Sequence, residues 1–307
     1  MKNILFVLGI SIILSVSSIA QKKTNDWTEL NLKGKVKSLH QFSYYAIEEF
    51  GKLQKGNEMH QIYTLFSDKG NKIEKNYYIS DGSIDSKWTY EYDDKGNKIE
   101  KTYYISDGSI DSKWTYEYDD KGNIIEENRY DSDGRTFYWK ETYKYDDKSN
   151  IIEKNQYDSD GRHFHQTYKY DTKGNQIEQN HYDLYGPFNY KETYKYDDKG
   201  NKIEDNHYIL DGSLYRLYSK ETYKYDDKGN EIKKNRYNSD GSLDYKFTYK
   251  YDDKGNIIEA NEYKSDGSLD SKSIYKYEYN EQGNWTSCIE YENDKPTRIT
   301  ERELEYY

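Results

Sequence analysis

The chain has 307 residues and a formal net charge of −11; 33% of its residues are hydrophobic and 34% are charged. This acidic balance argues against nucleic acid and anionic lipid as partners, because both repel negative charge. The single cysteine, Cys288, excludes an intrachain disulfide. So polar a composition is typical of disorder, but 39 tyrosines and only two prolines favour β-strands instead.

The first twenty residues have the pattern of a secretory signal peptide. Lys2 precedes an apolar run at residues 4–16, and small residues end the segment at Ala20. We therefore expect cleavage after Ala20 and a periplasmic, cell-surface or secreted location. The apolar run is short for a membrane span, so no transmembrane segment is expected after cleavage. An uncleaved anchor is the alternative.

After this segment the chain divides into two irregular ends and a long repeat. Residues 21–62 are expected to form an N-terminal β cap, and residues 285–307 a C-terminal β-hairpin cap. Between them, residues 63–284 repeat a pattern such as "TYKYDDKGNIIEENRYDSDGR". Two turn signals, "DDKG" and "SDG", separate two short runs rich in tyrosine, threonine and isoleucine, so each unit is predicted to be an antiparallel β-hairpin.

The period is close to 26 residues and is marked by an asparagine that ends each "KGN"-like signal. Residues 71–96 and 97–122 are almost identical, which indicates tandem copying. Successive marker asparagines are 26, 26, 27, 25, 26, 29, 26 and 28 residues apart. They are Asn71, Asn97, Asn123, Asn150, Asn175, Asn201, Asn230, Asn256 and Asn284.

The period predicts a strand register. If "DDKG" is a four-residue loop and Asp-Gly a two-residue turn with positive φ at both residues, each isoleucine two after the marker faces a tyrosine on both neighbouring strands. That row would run Tyr90, Ile99, Tyr116, Ile125 and onward to Tyr277, beside a second tyrosine row that begins at Tyr92 and Tyr118. Bulges or longer loops are expected after the Asp-Gly turn in units of other lengths.

We expect an all-β fold in which about nine hairpin units form one long, curled or superhelical sheet. About eighteen strands exceed the roughly ten that an open twisted sheet sustains without curling or splitting. The tyrosine rows would line the concave side, and a flat single-layer sheet is the alternative. The opposite face, where threonines alternate with Glu or Lys, is predicted to be wetted.

The strings "YKYDDKGN" and "YEYDDKGN", with the closing "SDG", resemble the Tyr-Asp (YD) repeat of the RHS (rearrangement hot spot) family over about residues 63–284. The resemblance implies β-sheet shells that enclose a toxin domain or display adhesion surfaces, often described as carbohydrate-binding. This chain is too short for a large shell and lacks the family's proline-containing core motif and a toxin domain. It is similar to short exported forms from Bacteroidetes-type bacteria.

Metal ligation and catalysis are the weaker interpretations of the polar motifs. "YDSDG" at Asp131 and Asp158 lacks the distal glutamate of a calcium loop, and Asp-Gly turns explain it. His181 and His207 are too far apart for one zinc ion without a third ligand between them. No unique catalytic constellation appears, and tandem copying favours many equal surfaces over one active site. We therefore expect no cofactor, no metal and no enzymatic activity.

Aromatic side chains are the best candidates for ligand binding, but the pattern favours the interpretation that the tyrosines form the thin core of a chain short of aliphatic residues. Units near both ends of the array carry Trp88, Trp114, Phe247 and Tyr275 where middle units place Glu or Gln. We predict a non-catalytic exported cell-envelope protein that presents a tyrosine-rich β surface to a protein or polysaccharide; the alternative is a carbohydrate-binding module that stacks glycans on aromatic rows. The candidate residues are Trp88, Tyr90, Tyr92, Trp114, Tyr116, Tyr118, Phe247 and Tyr275.

Overall fold

The computed structural model describes residues 25–134, 136–183 and 189–307, so the predicted signal peptide and its cleavage site lie outside the described residues. The described residues form one short helix, α1 (Asp26–Glu29), and twenty strands. The strands are β1 (Val36–Glu49), β2 (Lys52–Phe66), β3 (Lys72–Tyr78), β4 (Ile84–Tyr92), β5 (Lys98–Ile105), β6 (Ile110–Tyr118), β7 (Ile124–Tyr130), β8 (Phe137–Tyr145), β9 (Ile151–Asp158), β10 (His163–Tyr170), β11 (Gln176–Asp183), β12 (Tyr190–Tyr196), β13 (Lys202–Asp211), β14 (Leu214–Tyr225), β15 (Glu231–Asn238), β16 (Leu243–Tyr251), β17 (Ile257–Tyr263), β18 (Leu269–Tyr279), β19 (Trp285–Glu292) and β20 (Lys295–Tyr306).

These strands form one antiparallel sheet that closes on itself as a barrel. Each strand pairs with its neighbours in the chain, and β1 pairs with both β2 and β20. His40, for example, lies opposite Tyr63 on one side and Glu303 on the other. The all-β antiparallel prediction is confirmed, but the open curled or superhelical sheet is wrong. Closure pairs the two edges that an open sheet would leave unsatisfied.

In the first two 26-residue units, which begin at Asn71 and Asn97, the two turn signals build the same type of turn. In the loop after β4, the amide of Asp93 donates to the carbonyl of Asn97, and that of Gly96 donates to Asp93. In the Asp-Gly loop after β3, Ile79, Gly82 and Ser83 repeat this pattern. Each is a three-residue loop that ends in a left-handed glycine. In these units the predicted four-residue "DDKG" loop and two-residue Asp-Gly turn are therefore both wrong, and in the Asp-Gly turn only the glycine has positive φ.

Because of these turns, the strands that flank each "DDKG"-like turn pair in a different register from the predicted one. Tyr90 lies opposite Lys101, two residues beyond the isoleucine expected there. Ile99 occupies a register shift beside the turn and is 38% exposed. On the Asp-Gly side, Lys101 lies opposite Trp114. The predicted tyrosine–isoleucine row does not form, and each first-row tyrosine instead faces the residue four after the marker asparagine.

Register shifts, and not only loop lengths, set the period of the repeat. In the first two 26-residue units shifts occur beside both turns, as at Tyr77/Tyr78 and Glu91/Tyr92, whereas the sequence predicts them only for units of other lengths. In the 25-residue unit, β9 and β10 pair without any shift. In the 29-residue unit, the extra residues lengthen β13 and β14 around Gly212. One bulge fewer thus shortens the period by one residue.

The two faces of the sheet differ in how much water they meet. Burial raises the pKa of second-row tyrosines such as Tyr145 and Tyr196 to about 12. On the opposite face, the side chains of Lys144 and Lys195 are 66% exposed. Because curvature crowds side chains on the concave face and spreads them on the convex face, the tyrosine face is the inner wall and the threonine face the outer surface.

The outer surface carries a repeated ladder of polar contacts. Glu178 accepts a hydrogen bond from Asn180 at 3.0 Å and pairs with Lys169 and Lys191 at 2.7 Å. The asparagines of this ladder are buried beneath their longer neighbours. The same Glu–Asn pair recurs as Glu126 with Asn128, Glu153 with Asn155, Glu204 with Asn206 and Glu259 with Asn261. These polar contacts fit the prediction that this face is exposed to water.

The N-terminal segment, residues 25–35 before β1, covers part of the sheet end that carries the "KGN" loops. Asp26 accepts a hydrogen bond from the amide of Lys72 at 2.6 Å, and the side chain of Asn284 binds both the amide and the carbonyl of Lys33. Trp27 packs against a small apolar core beneath this segment. That core consists of Leu32, Val36, Leu39 and Phe66. Because it is so small, we expect the backbone ladder to carry much of the stability.

Candidate binding surface

The second tyrosine row links each repeat to the one before it. The hydroxyl of Tyr118 donates to the carbonyl of Lys98 at 2.6 Å, and that of Tyr196 donates to Gln176 at 2.7 Å. The same bond is made by Tyr145, Tyr170, Tyr225 and Tyr251. These hydroxyls satisfy carbonyls where the strands begin, so this row, including the candidate Tyr118, is part of the wall.

The first tyrosine row has two different environments. In middle units the tyrosine donates to the acidic or amide residue two positions earlier, as Tyr194 does to Glu192 at 2.8 Å and Tyr223 to Glu221 at 2.6 Å. Near the candidate residues Tyr90 and Tyr116, a tryptophan takes that position. Burial raises the pKa of both tyrosines, so these hydroxyls stay neutral at ordinary pH.

The two candidate tryptophans meet on the inner wall. The ring centroids of Trp88 and Trp114 are 5.4 Å apart, and Tyr103 lies 4.6 Å from Trp88. Lys101 places its ammonium 4.6 Å from Trp88 and 4.3 Å from Trp114, and the Arg129 guanidinium lies 5.0 Å from Trp114. Trp114 is only 9% exposed, so Trp88 and Tyr103 offer the more accessible rings.

The remaining candidates lie elsewhere on the same wall. Burial raises the pKa of Tyr92, on β4, and the negative charge of Asp26 in the N-terminal segment raises it further. Phe247, on β16, packs between Tyr245 and Tyr249 at 5.3 and 6.3 Å. Tyr275, on β18, is half-buried, and burial raises its pKa. The closed sheet therefore brings Trp88 and Trp114 together but leaves Phe247 and Tyr275 in a separate sector.

The histidines and the Asp-Gly motifs are used in local contacts. His181 and His207 stack on opposite sides of Tyr190 at 3.8 and 5.1 Å. Burial, with the nearby positive charge of His207, lowers the pKa of His181 to about 4. Asp158 accepts hydrogen bonds from the amides of Asp160 and Arg162 within its turn. Within the described ranges, no three His, Cys, Asp or Glu side chains are grouped to hold a metal ion.

Lys101 and Arg129 were missed as candidates because the sequence places them among exposed polar strand residues. Their positions in the repeat are the signal that could have identified them. With the bulge beside the turn counted, each lies on the inner face, and each faces a tryptophan or lies beside one. Lys101 is the residue four after Asn97, and the equivalent residues Glu127, Lys154 and Asp205 vary in charge. This variable position gives each sector of the wall its own chemistry.

No family model and no curated protein matches the chain. Among solved structures, a porin-like protein from Bacteroides uniformis ATCC 8492 is 14% identical, with 89% of this chain and 98% of that chain covered and a TM-score of 0.33. A chain of the TcdB2-TccC3-Cdc42 complex is also 14% identical, with 82% of this chain and 16% of that chain covered and a TM-score of 0.35. At these scores the likenesses assign neither a family nor an activity. In the ranges that the structure describes, no helix is long and apolar enough to cross a bilayer.

Proposed function

We propose that this chain is a non-catalytic, exported cell-envelope repeat protein that binds a macromolecular partner, either a protein or a polysaccharide. The observation that carries the proposal is the recurrence of one side-chain arrangement around the closed sheet. Glu100 pairs with Lys113 at 2.6 Å, and Glu204 pairs with Lys220 at 2.7 Å in the same relative positions. Equal sites at a regular spacing suit a partner that is itself extended or repetitive.

The outer surface is where a folded partner gains access to the repeat. It carries threonines, exposed lysines and Glu–Asn–Lys contacts. Removing such charged groups from water without new partners costs free energy. The tyrosine rows face inward, so they serve a folded partner less well than a chain-like ligand. The export signal at residues 1–20 and the YD-repeat resemblance support the envelope location that we propose.

Photo-crosslinking from two neighbouring residues tests where the partner binds. Tyr249 lies on the inner wall, and Lys250, the next residue, is 65% exposed on the outer surface. We would place p-azidophenylalanine at either position in the native host. Adducts from position 250 with one defined macromolecule support the proposal. Adducts from position 249 alone move binding to the inner wall, and adducts from neither position contradict macromolecular binding.

A second candidate function, glycan binding on the inner wall, is favoured by the partly exposed aromatic cluster of Trp88 and Tyr103. Aromatic faces stack on the apolar faces of sugar rings, and burial of such a face stabilises the complex. Titration of cell-envelope polysaccharides with tryptophan fluorescence as the signal tests it. A spectral change that the Trp88→Leu variant lacks supports glycan binding, whereas unchanged spectra with all polysaccharides contradict it.

A further inference from the structure

One sector of the inner wall, on β3 to β7, has cations without acidic partners. In the part of the chain that the structure describes, no ion pair within 4.0 Å is formed by Lys75, Lys98, Lys101 or Arg129. We call these four residues, with Trp88 and Trp114, the cationic aromatic patch. The chain as a whole is acidic, so this patch is a local exception in charge.

Equivalent positions in other repeats show that the missing acids are a property of this sector. Lys202 occupies the same place in its unit as Lys98 and pairs with Asp205 at 3.0 Å, whereas Lys98 has Lys101 at the corresponding position. Lys234, equivalent to Lys101, pairs with Glu221 at 2.9 Å. Trp88 and Trp114 occupy the positions equivalent to Glu221 in their own units, and the ammonium of Lys101 lies over both rings. Aromatic rings have thus replaced the carboxylates that neutralise the wall elsewhere.

The geometry leaves the cations able to bind an anion. Lys98 lies 5.6 Å from the Tyr90 ring and 5.8 Å from the Tyr116 ring, and Arg129 is held between Trp114 and Tyr138 at 5.0 and 4.7 Å. Stacking occupies the faces of a guanidinium, so the N–H groups on its edge remain available as donors. The Nε of Arg129 is buried without a hydrogen-bond acceptor in the described residues.

The nearby charges also favour a negative ligand. Burial and the positive charge of Lys98 lower the pKa of Lys101, the negative charge of Glu127 opposes this shift, and Arg129 lowers it further. Glu127 is an inner-wall carboxyl next to the patch, opposite Tyr116. Burial and the negative charge of Glu141 raise its pKa, while Lys101 and Lys154 act in the opposite direction. An anion bound beside the side chains of Lys98, Lys101 and Arg129 would relieve the repulsion among these three cations.

We propose that the cationic aromatic patch binds an anionic polysaccharide whose sugars carry carboxylates. A carboxylate would lie beside Lys101 or Arg129, which flank Trp114 on its two neighbouring strands, while the apolar face of a sugar ring packs on Trp88 and Tyr103. Such a polymer alternates charged groups with sugar rings, as this sector of the wall alternates cations with aromatic rings. Nucleic acid carries denser charge that the acidic chain repels. This inference rests on the second candidate function, glycan binding on the inner wall.

Isothermal titration of residues 21–307 with polygalacturonate, and with uncharged dextran as the matched neutral polymer, tests the proposal. We expect binding of polygalacturonate that weakens as salt is added, and no binding of dextran. Lys101→Gln with Arg129→Gln should weaken binding at least tenfold, and Arg129→Lys should retain part of it. Lys195→Gln, an exposed outer variant, is the control and should leave binding unchanged. Circular dichroism checks that each variant is folded.

The other outcomes separate the two claims. Equal binding of dextran and polygalacturonate would overturn the anionic specificity and leave glycan binding in place. Binding of neither polymer would overturn the anionic proposal, whereas the fluorescence titration with cell-envelope polysaccharides decides glycan binding separately. Polygalacturonate binding that the folded double variant retains, or that Lys195→Gln weakens equally, would place the anion elsewhere and overturn the assignment to this patch.

Discussion

Single residues in the turns decide how each hairpin closes. Ser149 stands where other units have glycine, and its φ of +66° lies in the left-handed region that glycine adopts without strain. The position was predicted from the sequence because the "DDKG" signal is local and repeated. The aspartate before it, Asp146, accepts hydrogen bonds from the amides of Lys148 and Asn150, which explains why this turn keeps Asp and Asn at its ends.

Ser149→Gly is expected to stabilise the protein by up to about 1 kcal/mol, because glycine removes the strain of the left-handed conformation. The hydrogen bond from Asn123 to the Ser149 hydroxyl, at 3.1 Å, offsets part of this gain. The free energy of unfolding from denaturant titration measures the change. Gly229→Ser, at φ +89° with open space around the glycine, should destabilise. A lower free energy of unfolding for Ser149→Gly would contradict the expectation.

Tyr196→Phe is expected to lower the free energy of unfolding by about 1 kcal/mol, because the carbonyl of Gln176 loses its donor. Tyr45→Phe, at a tyrosine that is 55% exposed, is the matched control and should have little effect. Thermal or urea unfolding of the two variants provides the comparison. Equal stability of both would show that second-row hydroxyls do not link the repeats.

At the scale of strands and hairpins, the sequence predicts the elements better than their pairing. Hairpin order and the left-handed glycines follow from local turn residues. The register does not follow, because a bulge beside the turn moves Lys101, and not Ile99, opposite Tyr90. The register decides which side chains lie on the inner wall, so the wrong register prediction also left Lys101 and Arg129 out of the candidate residues. A period of 26 agrees with more than one combination of loops and bulges.

The outer ladder is expected to make stability depend on acidic pH. Although burial opposes it, hydrogen bonds from Asn206, Lys195 and Lys220 lower the pKa of Glu204 to about 2. A carboxyl with a lowered pKa stabilises the fold above its unfolded pKa, and this contribution is lost as the pH falls from about 4.5 through about 2. Glu204→Gln should therefore destabilise by about 1 kcal/mol at pH 7, after allowance for solvent screening.

The difference between wild type and Glu204→Gln should shrink as the pH approaches 2, and unfolding titrations at several pH values measure it. Glu278→Gln, at an exposed outer glutamate, is the control. A difference that stays constant with pH would show that the Glu204 carboxylate is not held by its lysine and asparagine partners.

At the scale of the whole molecule, closure is the feature that the repeat does not encode. It depends on β1 and β20, which lie in the irregular ends and pair residues about 260 positions apart, such as His40 with Glu303. No periodicity within residues 63–284 contains this contact. Closure also separates the two faces: the repeated polar surface faces outward, and the tyrosines and the cationic aromatic patch are enclosed.

Disulfide formation between His40→Cys and Glu303→Cys, in a Cys288→Ser background, tests closure most directly. Directly opposed strand residues have Cα atoms roughly 4.5–5.5 Å apart, which a disulfide spans. Mild oxidation should therefore give a rapid intramolecular bond, seen by mass spectrometry of the monomer, while His40→Cys with Lys195→Cys should give none. If the sheet were open there, its edges would be separated by about 90 Å along the sheet, and absence of the bond in the folded His40–Glu303 variant would contradict the closed sheet.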